Sequence, residues 1–376
     1  MRSSLRDSTV LFVSGRTGHT LSRVERSWLP VMKALLAEGA GVYLIAAHHG
    51  PLVEPARNLG VTITNYRIDR LNLWVTRNRL RASLKRFEPP VAISTGYHAD
   101  IPLRLASRGL PVKVVGTYRC GGWPLVSGGP LTTGGRRKVD RRTREQVDAF
   151  VVDTIALRDS LVADGVPADR LHVVRPGIDA GRVAREAAGA AAVEGVGPGT
   201  PEGFRVGYAG ALERSRGLGT LVTAAASIRE RHPGTRVLVA GEGPARLGLL
   251  PAAHEGRIEL VGRVSSVPAF LSSLDVCVFP ASEAGIPTSL LEAAALGRPI
   301  VASDVPGIRE TLADGREIVL VPRGNAAELA DAVSALLADP ARARALGEAA
   351  RHRVLDDHPE SGVAVRWLEL LRGLVR

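Results

Sequence analysis

The residues best suited to chemistry lie in one unbroken stretch, Glu283 to Gly315, reading EAGIPTSLLEAAALGRPIVASDVPGIRETLADG. A glycine-bearing loop, Ala284–Gly285–Ile286–Pro287, runs into a helix expected to begin near Thr288 or Ser289 and to stop at Gly297. A helix start presents unpaired N–H groups and partial positive charge. Gly285, Ile286, Pro287, Thr288, Ser289 and Leu290 are therefore candidates to cradle a diphosphate. Glu292 falls in the first turn or just beyond it, where its carboxylate can accept hydrogen bonds from ribose hydroxyls. The same spacing has a plainer reading: Ser289-x-x-Glu292 matches a capping box, in which the glutamate only closes its own helix start.

Such residues must be held by strands and helices, and the chain alternates the two. Short apolar runs are expected as strands at Val10–Ser14, Val42–Ala46, Val61–Thr64, Val91–Ser94, Val112–Val115, Ala149–Asp153 and His172–Val174. A second series follows at Phe204–Gly207, Arg236–Ala240, Ile258–Val261, Val276–Phe279, Ile300–Ala302 and Ile318–Leu320. Helical spacing appears between them, for example over Glu25–Glu38 with Gly39 as a stop, and near Thr220–Arg231. This alternation predicts an α/β fold of two Rossmann-like, doubly wound domains facing a cleft, with ligands beyond the carboxyl ends of the strands. The expected division is an N-terminal domain over 1–178, a linker or exposed loop over 179–203, and a C-terminal domain over 204–357. The last segment, 358–376, is an amphipathic helix with Val363, Trp367, Leu370, Leu371 and Leu374 on one face.

At 376 residues the chain exceeds the size of one growing core, which also favours two domains. Its formal net charge of +11 suits a phosphorylated substrate, an anionic surface or nucleic acid, but only 4% of residues are aromatic, which argues against a base-stacking platform. No nucleic-acid partner is expected. No apolar run reaches the roughly 18 residues of a membrane span and no signal-peptide core precedes the first strand, so a cytoplasmic protein is expected. The two cysteines, Cys120 and Cys277, are far apart and neither sits at metal-ligand spacing, so no metal site is expected.

The segments IPTSLLEAAALGRPIVASDVPGIRE, VGYAGALERSRGLGTLVTAAASI, VLVAGEGP, IELVGRVSSVPAFLSSLDVCVFPAS and HVVRPGID occur in an order that resembles the retaining glycosyltransferases of family 4. The resemblance is strong over 150–355 and loose over 10–150. It implies the GT-B arrangement, a nucleoside-diphosphate sugar (UDP- or GDP-linked) held by the C-terminal domain, and no tightly bound cofactor. The acceptor, a small molecule or a glycan- or lipid-linked one, would meet mostly the N-terminal domain, onto which the last helix would cross back. Carried over residue by residue, it makes Gly210, Arg214, Arg216, Arg263, Val264 and the Gly285–Glu292 segment donor-binding. A metal is not needed to neutralise the leaving diphosphate, because arginines and helix starts can do so.

The departures are as informative. The family's first glutamate in the donor segment, which meets the donor sugar, is Ala284 here, and Glu283 stands one place early as its substitute. The family's phosphate-clamping arginine is Ala211 and its lysine is Arg216, with Arg214 available to restore the missing charge. The glycine pair that often precedes the first helix falls at Ser22–Arg23, although Gly15 and Gly18 keep that loop permissive. Arg119 stands near the position where relatives place a histidine or arginine beside the reacting sugar. Arg216, Arg119 and Glu283 are thus the catalytic candidates. Gly15, Gly18, His19 and His98 are the acceptor-side ones, with His48 and His49 read as surface. Loss of the glutamate and arginine leaves two rivals: a non-catalytic nucleotide-sugar binder, or an epimerase on the same fold. The basic amphipathic segment Arg67–Phe87 is read as packing on a sheet, with membrane contact the less favoured alternative, and the protein as a monomer or homodimer.

Overall fold

The structure is a computed structural model and describes residues 5–15, 23–47, 50–65, 73–118, 138–189, 203–283 and 285–375. The chain divides into two compact units, Met1–Gly177 with Glu360–Arg376, and Ile178–Pro359.

The first unit is a seven-stranded parallel sheet in the order β3-β2-β1-β4-β5-β6-β7. Its strands are β1 (Thr9–Ser14), β2 (Gly41–Ala46), β3 (Thr62–Asn65), β4 (Val91–Thr95), β5 (Lys113–Thr117), β6 (Ala149–Val152) and β7 (Leu171–Val173). Side chains alternate across a strand, so β1 feeds two cores. Val10 and Phe12 enter one, with Trp28 and Met32, while Leu11 and Val13 enter the other, with Leu80, Leu84 and Phe150. The helices are α1 (Arg23–Ala37), α2 (Val53–Asn58), α3 (Leu73–Phe87), α4 (Tyr97–Ser107), α5 (138–143) and α6 (Ile155–Ala163). The described part of the basic segment, α3, buries Leu80 and Leu84 and stacks Phe87 on Tyr43 at 4.6 Å. Its apolar stripe is therefore core, and Trp74 alone among its large apolar side chains is well exposed.

The second unit repeats the winding in six parallel strands, β10-β9-β8-β11-β12-β13. These are β8 (Arg205–Ala209), β9 (Arg236–Ala240), β10 (Glu259–Gly262), β11 (Val276–Phe279), β12 (Ile300–Ser303) and β13 (Val319–Val321). Its helices are α7 (Ala180–Ala188), α8 (Leu218–Arg231), α9 (Arg246–His254), α10 (Val267–Ser272), α11 (Thr288–Ala295), α12 (Pro306–Arg309), α13 (Ala326–Ala338) and α14 (Pro340–Asp357). One core cluster joins both faces of this sheet and includes Cys277, fully buried as expected of a small apolar residue.

One boundary differs from expectation. The stretch read as a linker, 179–203, opens with α7, which Asp179 caps by accepting from the Arg182 N–H at 2.8 Å. Val183 of α7 is buried in the second unit's core, and the alanine-rich pattern hid that single anchor. The remainder, 190–202, lies outside the described residues. The final helix α15 (Glu360–Leu374) belongs to the first unit, where Val363, Trp367, Leu368 and Leu371 join the α1 side of the core. Among the described residues no helix is long and apolar enough to cross a membrane.

Candidate functional site

In the second unit the strand order reverses between β8 and β11, and a doubly wound sheet opens a crevice beyond its strand ends at such a point. Gly210, the Arg214–Arg216 turn and the start of the helix after β11 are tied together there. Three loops are tied together by backbone contact. Gly210, just past β8, donates to the Ala240 carbonyl at 3.0 Å, and Leu212 donates to Glu242 O at 2.9 Å. A Cβ on Gly241 would lie 1.8 Å from Gly210 O, and one on Gly217 would lie 1.9 Å from Pro280 O. Both have positive φ, +135° and +62°, so only glycine lets the loops after β8, β9 and β11 approach this closely.

Arg214–Arg216 form a single 3₁₀ turn between Glu213 and Gly217. The loop after β11 clasps that turn. Ser282 N donates to Ser215 O at 3.0 Å and Ser282 Oγ to Arg214 O at 3.3 Å, while Arg323 reaches Ser282 O at 3.1 Å. Glu283 follows directly. Partial burial pushes its carboxyl above the usual range, and the Arg216 charge pulls against that shift. Arg216 is the half-buried arginine of the turn, and its nearest acidic partner is Glu213 at 4.0 Å. Ala284 lies outside the described residues.

The helix α11 begins at Thr288, with Pro287 as its cap residue and no side-chain capping bond. This excludes the capping box. Ser289 Oγ instead donates to Ala209 O at 2.7 Å, pinning the helix start to the end of β8. Glu292, 3% exposed, accepts from Arg182 Nη2 at 2.9 Å. Thr288 Oγ1 is shielded from solvent and has no hydrogen-bond partner among the described residues. The expected set of backbone donors is smaller than the sequence suggests. Pro287 has no N–H, and the Leu290 N–H already reaches Pro287 O at 3.1 Å. The side chains of Ile286 and Leu290 are fully buried in the core. What remains is the backbone at Gly285, Ile286, Thr288 and Ser289. Arg263 and Val264 follow β10, the first exposed and the second packed on the core edge.

The acceptor-side candidates belong to the first unit. Gly15 follows β1 and is bonded to Thr95 O at 3.4 Å; a Cβ there would sit 3.1 Å from Ala99 N. Gly15 thus seats on the start of α4, where His98 is the second residue and half-buried. Gly18, His19, His48, His49, Ser22 and Arg119 lie outside the described residues. Among those described, no group of three His, Cys, Asp or Glu is placed to hold a metal ion.

Residues 24–182 match the family described as Glycosyltransferase Family 4, and residues 203–339 match Glycosyl transferases group 1. The chain belongs to the family 4 glycosyltransferases. It is 34% identical to a glycogen synthase of Mycobacterium tuberculosis over 163 residues, which is 42% of this chain and 39% of that one. It is 28% identical to a GDP-mannose-dependent alpha-(1-6)-phosphatidylinositol monomannoside mannosyltransferase of the same organism, over 63% of this chain and 65% of that one. The chain therefore spans about two fifths to two thirds of the length of these curated relatives. Among solved structures, Anabaena HepE in complex with UDP-glucose superimposes with a TM-score of 0.76 at 14% identity, covering 97% of this chain and 99% of that one. That likeness concerns the fold, the GT-B type with two parallel-sheet α/β units.

Several contributors to the site were missed in the sequence. Arg182 was assigned to a linker, and Gly217 and Gly241 were quoted inside motifs without a role. The signal for the glycines was present, since each follows a strand in a loop that must approach its neighbour closely. Nothing in the spacing links Arg182 to Glu292 across 110 positions.

Proposed function

We propose that the protein transfers a sugar from a nucleoside diphosphate to an acceptor, with retention of anomeric configuration and without a bound metal. One observation carries the reading: at the switch point of the second unit, a helix start with an unpartnered threonine hydroxyl lies beside an arginine turn clasped by the neighbouring loop. The Thr288 hydroxyl and the first N–H groups of α11 suit phosphate oxygens, and Arg214 and Arg216 supply the countercharge. Arg216 has fork geometry in place of a lysine's point charge, so it can grip two oxygens at once. Glu292 takes the ribose hydroxyls. Glu283, coupled to Arg216, is the candidate to meet the donor sugar.

As the bond from the sugar to the diphosphate breaks, negative charge grows on the leaving oxygen. Donors fixed beside it then stabilise the transition state more than the ground state. The leaving phosphate itself is the proposed acceptor of the incoming hydroxyl's proton. The first unit would bind the acceptor near Gly15 and His98, a small molecule or a glycan- or lipid-linked one. UDP and GDP are the favoured nucleotides, in line with the UDP-glucose held by Anabaena HepE and the GDP-mannose dependence of the mycobacterial relative.

The test is release of nucleoside diphosphate from UDP- and GDP-sugars in the presence of EDTA, with the anomeric configuration of any product read by NMR. Turnover with retention supports the proposal. Binding without turnover for any donor and acceptor favours the non-catalytic reading that Ala211 suggests. A changed sugar in the absence of acceptor favours the epimerase.

A further inference from the structure

We infer that Arg182 of α7 is a positioning residue for Glu292, and that it sets how strongly the site discriminates a ribonucleotide from a 2′-deoxyribonucleotide. The inference rests on the donor-site reading above. Arg182 is fixed at both ends. Its backbone N–H is held by Asp179 Oδ1 at 2.8 Å, and its guanidinium bridges Glu186 Oε1 at 2.8 Å and Glu292 Oε1 at 2.9 Å. Glu186 in turn faces Ser266, the cap of α10, at 3.5 Å. The chain from α10 through α7 to α11 therefore ends on the one nearly buried carboxylate of the helix that starts the site.

A carboxylate offers about four lone-pair directions, so Arg182 on one oxygen does not by itself exhaust them. A charged partner 2.9 Å away orients the carboxylate that a ribose diol would meet. An Arg–carboxylate pair is directional, because the planar fork fixes the plane of its partner. Holding Glu292 in one rotamer before the nucleotide arrives lowers the ordering cost of binding. A residue outside the expected donor motifs thereby becomes part of the donor site.

The experiment measures equilibrium affinity for UDP, 2′-deoxy-UDP, GDP and 2′-deoxy-GDP by calorimetry, on wild type, Arg182→Met, Arg182→Lys and Glu292→Gln, with melting temperature recorded for each. In Arg182→Met the affinity for the preferred ribonucleotide is expected to fall about tenfold, the scale of one charge-assisted hydrogen bond. The 2′-deoxy form should change far less, so the ribo/deoxy ratio shrinks. Arg182→Lys should recover part of the ratio. With donor sugar, the rise in KM should exceed the fall in kcat. If Arg182→Met keeps the wild-type ratio while Glu292→Gln loses it, Arg182 is structural only and the inference is overturned while the site stands. If Glu292→Gln keeps the ratio, Glu292 does not hold the ribose and this inference falls; if wild type binds neither ribonucleotide, the UDP or GDP donor reading falls and this inference falls with it. A variant that melts below the assay temperature is replaced by Arg182→Gln, which is shorter and keeps a polar amide while removing the charge.

Discussion

The two units each gather arginines and carboxylates, and they treat the charges in opposite ways. In the first unit the cluster is sealed. Arg104 Nη1 meets Asp140 Oδ1 at 2.8 Å with both side chains fully buried, and Arg144 Nε meets Asp140 Oδ2 at 2.6 Å. Arg144 also pairs with Asp164 at 2.8 Å, and the Tyr118 hydroxyl donates to Asp140. The two buried guanidinium groups are thus matched by two carboxylates, Arg141 reaches Asp164 from the surface, and the Tyr118 ring stacks on Phe150 at 4.9 Å. In the second unit Arg214, Arg216 and Glu283 stay partly accessible. A balanced, buried cluster holds a fold together. An unbalanced, accessible one on the same architecture is set up to receive an anion.

That contrast can be broken from either side. The largest effect is expected at Arg104→Met, which leaves Asp140 buried with one partner fewer. Stability should fall by about 3–5 kcal/mol in denaturant unfolding, the usual cost of breaking a buried pair. A loss below about 1 kcal/mol would mean the sealed cluster is not structural. Arg216→Ala should do the reverse. Turnover should drop about a hundredfold, the cost of removing one transition-state donor, with the melting temperature held. Unchanged turnover would take Arg216 out of the mechanism.

Gly241→Ala should lie between them. The positive φ and the clash with Gly210 O are expected to cost about 2 kcal/mol of stability and to weaken nucleotide binding together, because one contact serves both. If stability falls while affinity is unchanged, the crossed loops are not part of the site.

A separate effect is a pH dependence in the sealed region. Asp100 is fully buried beside Arg104, and the neighbouring guanidinium charges are already balanced. Burial pushes its carboxyl from the ordinary 3.8 up to about 7, against the pull of Arg104. Between those values the folded protein keeps a proton that the unfolded chain has released, so stability should decline as pH rises through that window and level off above about 7. Asp100→Asn should flatten the curve between about pH 4 and 7. An unaltered slope would place the titration elsewhere.

The sequence made the scaffold legible because both sheets are buried on two faces, which writes each strand as an apolar run. Val276–Phe279 and Arg236–Ala240 could be read to the residue. The start of α11 was legible for a related reason, since Pro287 cannot continue a chain of N–H donors and Gly297, with φ of +66°, ends the helix. What escaped was long-range pairing between polar side chains. Ser289 looked like a cap yet bonds to Ala209, and Glu292 looked like its partner yet bonds to Arg182. Arg104, Asp140 and Arg144 gave no signal at all, because charged residues are normally read as surface and only the fold brings these together. Ser14 and Glu25, bonded at 2.6 Å and both buried, are a second such pair, linking the end of β1 to α1.

The central claim is that the start of α11, the Arg214–Arg216 turn and Glu292 form a nucleotide site. Titration calorimetry of the wild-type protein and Glu292→Ala against UDP, GDP, ADP and dTDP tests it most directly. The account predicts that wild type binds one of these and that Glu292→Ala, assayed below its melting temperature, loses about tenfold in affinity. Absence of binding to all four, or a Glu292→Ala variant that binds as wild type does, would contradict it.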